Sequence, residues 1–402
     1  MLFELSIENF YSIKEPQVID LRVAGNAPDL PGRFAPIWAG ASERAPKVVA
    51  IFGPNAAGKS TVLRALSFIA WFIRDSFQLA PNGRLPFERF NNREGLNSPT
   101  RLSLSIAGFS DPSDPTSAPC KYTYSVEIGG MEDAQPMVLS EAIYYWPETT
   151  KRRVRLFSRD ETGKVTAGPP FQLGGFRQAL EKILRPNVSV LATLAQLKHP
   201  LSTQLWEAAN SVSSNILIER SDGVEDLVVR HYAENPALIE ALNREIERID
   251  LGIRSMRIET GPSGPIALFV HEGHDGPMPL VLESHGTRTF LRLYPFLLRA
   301  LETGGVAVLD ELDTAIHPLI LPEIIRWFHD PARNPRDAQL WMTCHNASLL
   351  EELVKEEVLF CTKSATGQTE VFALQDVQAV RRDDNYYRKY LGGVYGALPQ
   401  IG

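Results

Sequence analysis

Gly53-Pro-Asn-Ala-Ala-Gly-Lys-Ser60 sets two glycines, a lysine and a hydroxyl at the GxxxxGK[ST] spacing without a mismatch. The chemistry this spacing suits is the holding of a polyphosphate. Glycines at both ends let successive backbone N–H groups turn inward as a nest around phosphate oxygens, and the positive end of a following helix faces the same anion. On this reading Gly53, Pro54, Asn55, Ala56, Ala57 and Gly58 wrap the phosphates of ATP, and Lys59 reaches the β and γ groups. Ser60 holds Mg²⁺, and Thr61 follows at the helix start. Two elements must position such a loop. Val48-Val-Ala-Ile-Phe52 is apolar throughout and reads as a buried strand, and Thr61 to Ile73 reads as a helix. A chance Gly-rich turn is the bland alternative, but a full pattern between strand and helix is a far rarer coincidence than a lone glycine cluster.

Hydrolysis needs acids near the same phosphates, and Val306-Ala-Val-Leu-Asp310-Glu311 offers two at the end of a short apolar run suited to a parallel strand buried on both faces. Asp310 is placed to hold the Mg²⁺ shell and Glu311 to activate an attacking water as general base. Strand-end carboxylates also serve as helix caps and turn residues. Their adjacency, in a chain that already carries the loop, favours the catalytic reading.

Leu282-Glu-Ser-His-Gly286-Thr-Arg-Thr-Phe290 is a small polar turn that opens a helix, with Phe290, Leu293, Leu297 and Leu301 at helical spacing and Pro295 inside it. Ser284, Gly286 and Thr287 could bind a γ-phosphate through hydroxyl and backbone N–H groups. Further on, Gln339-Leu-Trp-Met-Thr-Cys-His345-Asn346 is a strand ending in histidine. Alone, such a histidine is more often a structural hydrogen bonder. Its order after the loop, the turn and the acid pair favours a γ-phosphate sensor.

Together these motifs resemble the ABC-type ATPases of the RecF, Rad50, SMC and OLD grouping, and within it the stand-alone bacterial ATP-binding proteins of the AAA15 or AAA21 type found in anti-phage defence. The likeness begins at Leu5-Ser-Ile-Glu-Asn-Phe10-Tyr-Ser-Ile-Lys14, similar to the grouping's opening strand and turn. It continues through Asp310-Glu-Leu-Asp-Thr-Ala-Ile-His317-Pro and ends in Tyr386 to Pro399. Tyr11 stands where many relatives carry arginine. The resemblance implies an α/β fold, a P-loop ABC-type ATPase head with a mixed sheet, an antiparallel β subdomain and a helical insertion. It also implies a cytoplasmic enzyme that hydrolyses ATP with Mg²⁺ and forms head-to-tail homodimers or larger assemblies. In these, Ser284 and Gly286 act across the interface on a partner's nucleotide, Asp313 is the acid that couples the two sites, and a separate effector protein, such as a nuclease, is controlled. A RecF-like DNA-repair ATPase that binds DNA directly is the alternative.

Composition agrees with a globular enzyme: 402 residues, 44% hydrophobic and 22% charged, with net charge −7. That charge argues against a chain that coats nucleic acid over its whole surface. Lys151-Arg-Arg-Val-Arg-Leu-Phe-Ser-Arg159 runs against it and reads as a strand with a basic face at Arg153, Arg155 and Arg159. A charge-protected hairpin edge is the better account, and contact with nucleic acid or an acidic partner the minority one. The most apolar run, Ala65 to Ile73, is too short for a membrane helix of roughly 20 residues, and the start carries no basic export signal. Cys120, Cys344 and Cys361 lack metal-type spacing. The expected organisation is 1–174 with the phosphate loop and antiparallel strands, 175–249 as a helical insertion, and 250–402 with the turn, the acid pair and His345. The stretch after His345 is expected to complete the ATPase sheet rather than to add a nuclease domain, with Asp383 and Asp384 in a solvated turn.

Overall fold

A computed structural model of the chain describes residues 1–111, 114, 116–130, 135–216, 224–249, 252–262, 264–314, 316 and 320–398. Ala315, His317 and Pro318 of the acid-pair motif, and Pro399 at the chain's end, lie outside these residues. The chain opens with β1 (Leu2–Glu8) and β2 (Gln17–Asp20), then the hairpin β3 (Phe34–Pro36) and β4 (Arg44–Pro46). Next come β5 (Val48–Phe52), α1 (Lys59–Asp75) and α2 (Arg93–Asn97). Five strands follow: β6 (Thr100–Phe109), β7 (Pro119–Gly129), β8 (Met137–Tyr145), β9 (Val154–Arg159) and β10 (Val165–Ala167). They join β1 and β2 in one antiparallel sheet of order β10-β9-β8-β7-β6-β1-β2.

Residues 175–249 contain α3 (Arg177–Ile183), α4 (Val190–Gln196), α5 (Pro200–Asn210), α6 (Val224–Glu234) and α7 (Pro236–Ile249). They also supply a strand that the pattern does not show, β11 (Val212–Ser214). After β12 (Ile253–Gly261), β13 (Gly264–His271) and β14 (Met278–Pro279) come α8 (His285–Thr303), β15 (Val306–Leu309), α9 (Ile320–His329) and β16 (Gln339–Thr343). The chain closes with β17 (Val358–Lys363), β18 (Thr369–Ala373) and α10 (Tyr386–Leu391). The second large sheet has the order β11-β15-β16-β5-β17-β18, parallel except for the final β17/β18 pair. Among the described residues, no helix is long and apolar enough to cross a membrane.

The apolar run of β5 follows from burial on both faces. Side chains alternate along a strand, so Val49 and Ile51 enter the core shared with α1 and the antiparallel sheet, while Val48, Ala50 and Phe52 enter the core under α8 and α9. The neighbouring strands divide the same way: Val308 and Trp341 face the first core, and Ala307, Leu309, Leu340 and Met342 the second. Nothing polar is needed along such strands until they end, and all the chemistry sits at their carboxyl ends.

One expectation fails in the antiparallel sheet. Arg153 and Arg155 are exposed, with the Arg153 guanidinium 3.6 Å from the centre of the Tyr144 ring, but Arg159 is buried. The cause is a register shift: Tyr144 pairs with Arg155 and Ile143 with Phe157, so an extra residue is accommodated and the inside-outside alternation flips. Leu156 and Phe157 are consequently both buried. Arg159 donates instead to the carbonyls of Val188 (2.6 Å) and Arg185 (3.0 Å). Asp384 is engaged locally, paired with Lys389 at 2.6 Å.

Candidate functional site

Gly53 leaves β5 with φ +147°, and a Cβ there would lie 2.3 Å from the carbonyl oxygen of Cys361 on β17. Gly58, φ +98°, is the N-cap of α1, and a Cβ there would meet Thr369 Oγ1 at 2.1 Å. Only glycine fits either position. Gly53→Ala should therefore lower stability by about 1–3 kcal/mol through backbone strain and overpacking, measurable by chemical denaturation. Between the two glycines the loop carries Pro54, Asn55, Ala56 and Ala57, with Ala56 also at positive φ. Lys59 is buried, and its Nζ donates to the carbonyls of Gly53 (2.9 Å) and Pro54 (3.1 Å), bracing the loop. Burial pulls its pKa below the usual lysine value, against the upward pull of surrounding groups that include Asp310, Asp313 and Glu311.

The acid pair meets this loop directly. Ser60 Oγ donates to Asp310 Oδ1 at 3.0 Å. The Thr343 hydroxyl donates to the same oxygen at 2.6 Å and accepts the Glu311 N–H at 2.7 Å. Glu311 has φ +52°, and the turn carries its exposed carboxylate to within 3.9 Å of His345 Nε2. Asp313 Oδ2 accepts the backbone N–H groups of both His345 (2.6 Å) and Asn346, so within one chain this acid fixes the turn that presents His345. Cys344, just before His345, is buried, and burial pushes its thiol pKa up, which leaves it a core residue. The oxygens of Ser60 and Asp310 are hard donors converging beside the phosphate loop, a set that suits Mg²⁺.

An open cleft of about 990 Å³ brings together Lys59, Ser60, Glu311, Asp313 and His345, with Asp310 behind Ser60. Ser284 and Gly286 do not line it. They lie in the first turn of α8, where Ser284 is the N-cap and accepts the Thr287 N–H at 3.1 Å. The preceding Glu283 is buried and bonded to His271 of β13 at 2.6 Å, so the three-stranded sheet steadies this turn.

The cleft also holds residues that the motifs did not single out. Ser12, from the turn after β1, lies 3.0 Å from Thr61 Oγ1 and 2.8 Å from Thr369 Oγ1. Thr369 in turn reaches the carbonyl of Ala57 at 2.8 Å. Lys363, at the end of β17, donates to the Ala56 carbonyl at 3.0 Å. Arg64 follows Ser60 by four residues on α1, hence on the same face, and sits over the Tyr11 ring at 5.3 Å. That helical spacing could have identified Arg64. Ser12, Thr343 and Lys363 are brought in by tertiary contacts alone.

A family model described as "AAA domain, putative AbiEii toxin, Type IV TA system" matches residues 48–351, and one described as "AAA domain" matches residues 4–89. No curated protein matches the chain. Among solved structures, an SMC head bound to the C-winged helix domain of ScpA is similar at 13% identity, covering 93% of this chain and 98% of that one, with a TM-score of 0.46. The SMC head domain from Thermotoga maritima is similar at 15% identity, with 92% and 98% covered and a TM-score of 0.37. An Smc head with an extended coiled coil bound to the C-terminal domain of ScpA, derived from Pyrococcus furiosus, is similar at 13% identity, with 98% and 99% covered and a TM-score of 0.40. The first family match runs from β5 through β16 and so takes in the phosphate loop, the turn at α8, the acid pair and His345. The chain belongs to this AAA-domain family.

Proposed function

We propose that the chain binds and hydrolyses ATP with Mg²⁺, closes with nucleotide into a head-to-tail homodimer or larger assembly, and so controls a separate effector protein in anti-phage defence. The observation that carries the catalytic part is the direct bond of Ser60 to Asp310, with Glu311 and His345 at the same cleft. Lys59 and the open N–H groups of the loop and α1 take the phosphate charge. Ser60 and Asp310 would hold the metal ion, which when bound neutralises phosphate charge and orients the terminal group. Glu311 accepts the proton of an attacking water, and His345 donates to the γ-phosphate from the turn that Asp313 fixes.

Assembly across a second copy is supported by the signature turn. Ser284 and Gly286 carry phosphate-binding groups but stand away from the chain's own cleft, and the two residues before Glu283, Val281 and Leu282, are 70% and 64% exposed. Apolar side chains held open beside a polar turn gain by being covered. A place in a defence system is supported by the family's description as a putative AbiEii toxin of a Type IV TA system. The DNA-repair alternative has less to stand on, because only Arg153 and Arg155 of the three basic-strand arginines face outward.

Purified alone, the chain should release phosphate from ATP in a Mg²⁺-dependent reaction and leave DNA and RNA uncut with Mg²⁺ or Mn²⁺. Absence of Mg²⁺-dependent turnover would overturn the catalytic reading. Nucleic-acid cleavage abolished by changing Asp383 and Asp384 but not Lys59 would overturn the need for a separate effector nuclease.

A further inference from the structure

Resting on the reading of the cleft as a hydrolytic site, we infer that Asn215 is a positioning residue for it, clamping the peptide of Asp310 from the end of β11. The register leads to this contact. β11 runs parallel to β15 with Val212 beside Val306, Ser213 beside Ala307 and Ser214 beside Val308. The ladder is extended once more by the Asn215 N–H, which donates to the Val308 carbonyl at 3.2 Å. Beyond that point the Asn215 carboxamide takes over. Its Nδ2 donates to the Asp310 carbonyl at 3.0 Å, and its Oδ1 accepts the Asp310 N–H at 2.8 Å. Both backbone groups of the acid are thus held by one side chain.

The turn held in this way is strained. Glu311 adopts φ +52°, a left-handed conformation that side-chain-bearing residues disfavour and that persists only where its surroundings over-determine it. Four bonds do so here. Thr343 holds the Asp310 carboxylate and the Glu311 N–H, while Asn215 fixes the intervening peptide on the side that Thr343 does not reach. The direction of the Glu311 carboxylate toward His345 follows from that peptide's orientation. Asparagine suits the position because its short side chain offers a donor and an acceptor together. An aspartate would keep the bond to the Asp310 N–H but set a carboxylate against the Asp310 carbonyl.

Asn215 comes from the segment between the two halves of the nucleotide-site sheet, and none of its hydrogen bonds is to the phosphate loop. The segment also touches α1, where Ser214 Oγ lies 2.9 Å from Ser67 Oγ about two turns beyond the loop, and its bonds to Asp310 come through the Asn215 side chain. Its loss should act on turnover and not on nucleotide affinity, a division that a merely structural role would not produce.

The test compares the full chain with Asn215→Ala and Asn215→Asp, measuring kcat and KM for Mg²⁺-ATP, the affinity for a fluorescent ATP analogue and the melting temperature. Expected is a kcat lowered by about 10- to 100-fold, the cost of slight misplacement of a reacting group. Analogue affinity should stay within about threefold, since the loop contacts survive. Asn215→Asp should be no faster than Asn215→Ala. If Asn215→Ala does not fold, Asn215→Ser carries the same comparison. Wild-type kcat in the folded variants, or losses of kcat and affinity in equal measure, overturns the role of Asn215. A wild-type chain without turnover refutes instead the hydrolytic reading on which this rests.

Discussion

Lys59→Ala is expected to lose most of its ATP affinity, whereas Glu311→Gln keeps the affinity and loses the turnover. Lys59 is the buried cation of the loop, its ammonium held at 2.9 and 3.1 Å from two loop carbonyls. Moving the ammonium from those carbonyls onto phosphate exchanges neutral acceptors for an anion, and a hydrogen bond between charged partners is worth about 1.5–3 kcal/mol. Alanine removes that exchange, so affinity should fall by roughly 10- to 100-fold or more. Among the described residues no hydrogen bond joins the Glu311 side chain to the loop; the side chain is 58% exposed and its carboxylate lies 3.9 Å from His345 Nε2. Glutamine keeps the shape and removes the base, which costs about 10²–10⁴ in rate. Nucleotide titration and steady-state phosphate release on both variants separate the two effects. Normal turnover in Glu311→Gln would remove Glu311 from the role of base.

Those two residues were legible because their positions follow from local rules. A loop pattern between an apolar strand and a helix, and two acids after a second apolar strand, leave few ways to arrange the chain, and β5, α1 and β15 lie where the patterns indicate. The antiparallel strands expected after the loop are there as well, and the alternating apolar residues of β6, β7 and β8 enter one core.

What was not legible has physical causes that act over distance or over too few residues. Arg159 turns inward because of a register shift against β8, which period-two reading of β9 alone cannot contain. β11 is three residues long, and Val-Ser-Ser carries no pattern of its own; its place beside β15 is fixed by parallel pairing across some ninety intervening positions. Thr343 reads as one more residue of a buried strand, yet its hydroxyl joins both acids. Asp313, which resemblance assigns to the coupling of two sites, also serves within the chain by holding the His345 turn. In each case the sequence shows a residue type and the tertiary fold supplies its partner.

Gly286→Asp is expected to abolish turnover alone and to regain part of it when mixed with Lys59→Ala. Gly286 occupies the second position of α8, after the cap at Ser284, and glycine there costs about 1 kcal/mol of helix stability relative to alanine. An aspartate in the first turn complements the helix dipole, so the variant's helix should be no weaker than the original. Loss of activity would then come from what the new carboxylate meets, and an anion set against another copy's γ-phosphate opposes closure. Mixing makes the geometry decisive. If each site joins the phosphate loop of one subunit to the signature turn of the other, a mixed dimer gathers both lesions in one site and leaves the second intact. With random exchange half the dimers are mixed, so activity should recover to roughly one quarter of the wild-type rate if the sites act independently. Recovery should rise with time of subunit exchange and vanish when the Gly286→Asp variant, whose own loop and acids form the intact site, also carries Glu311→Gln. A mixture no more active than its two components, or Gly286→Asp protein turning over ATP normally as a monomer, would show that the signature turn does not work across an interface.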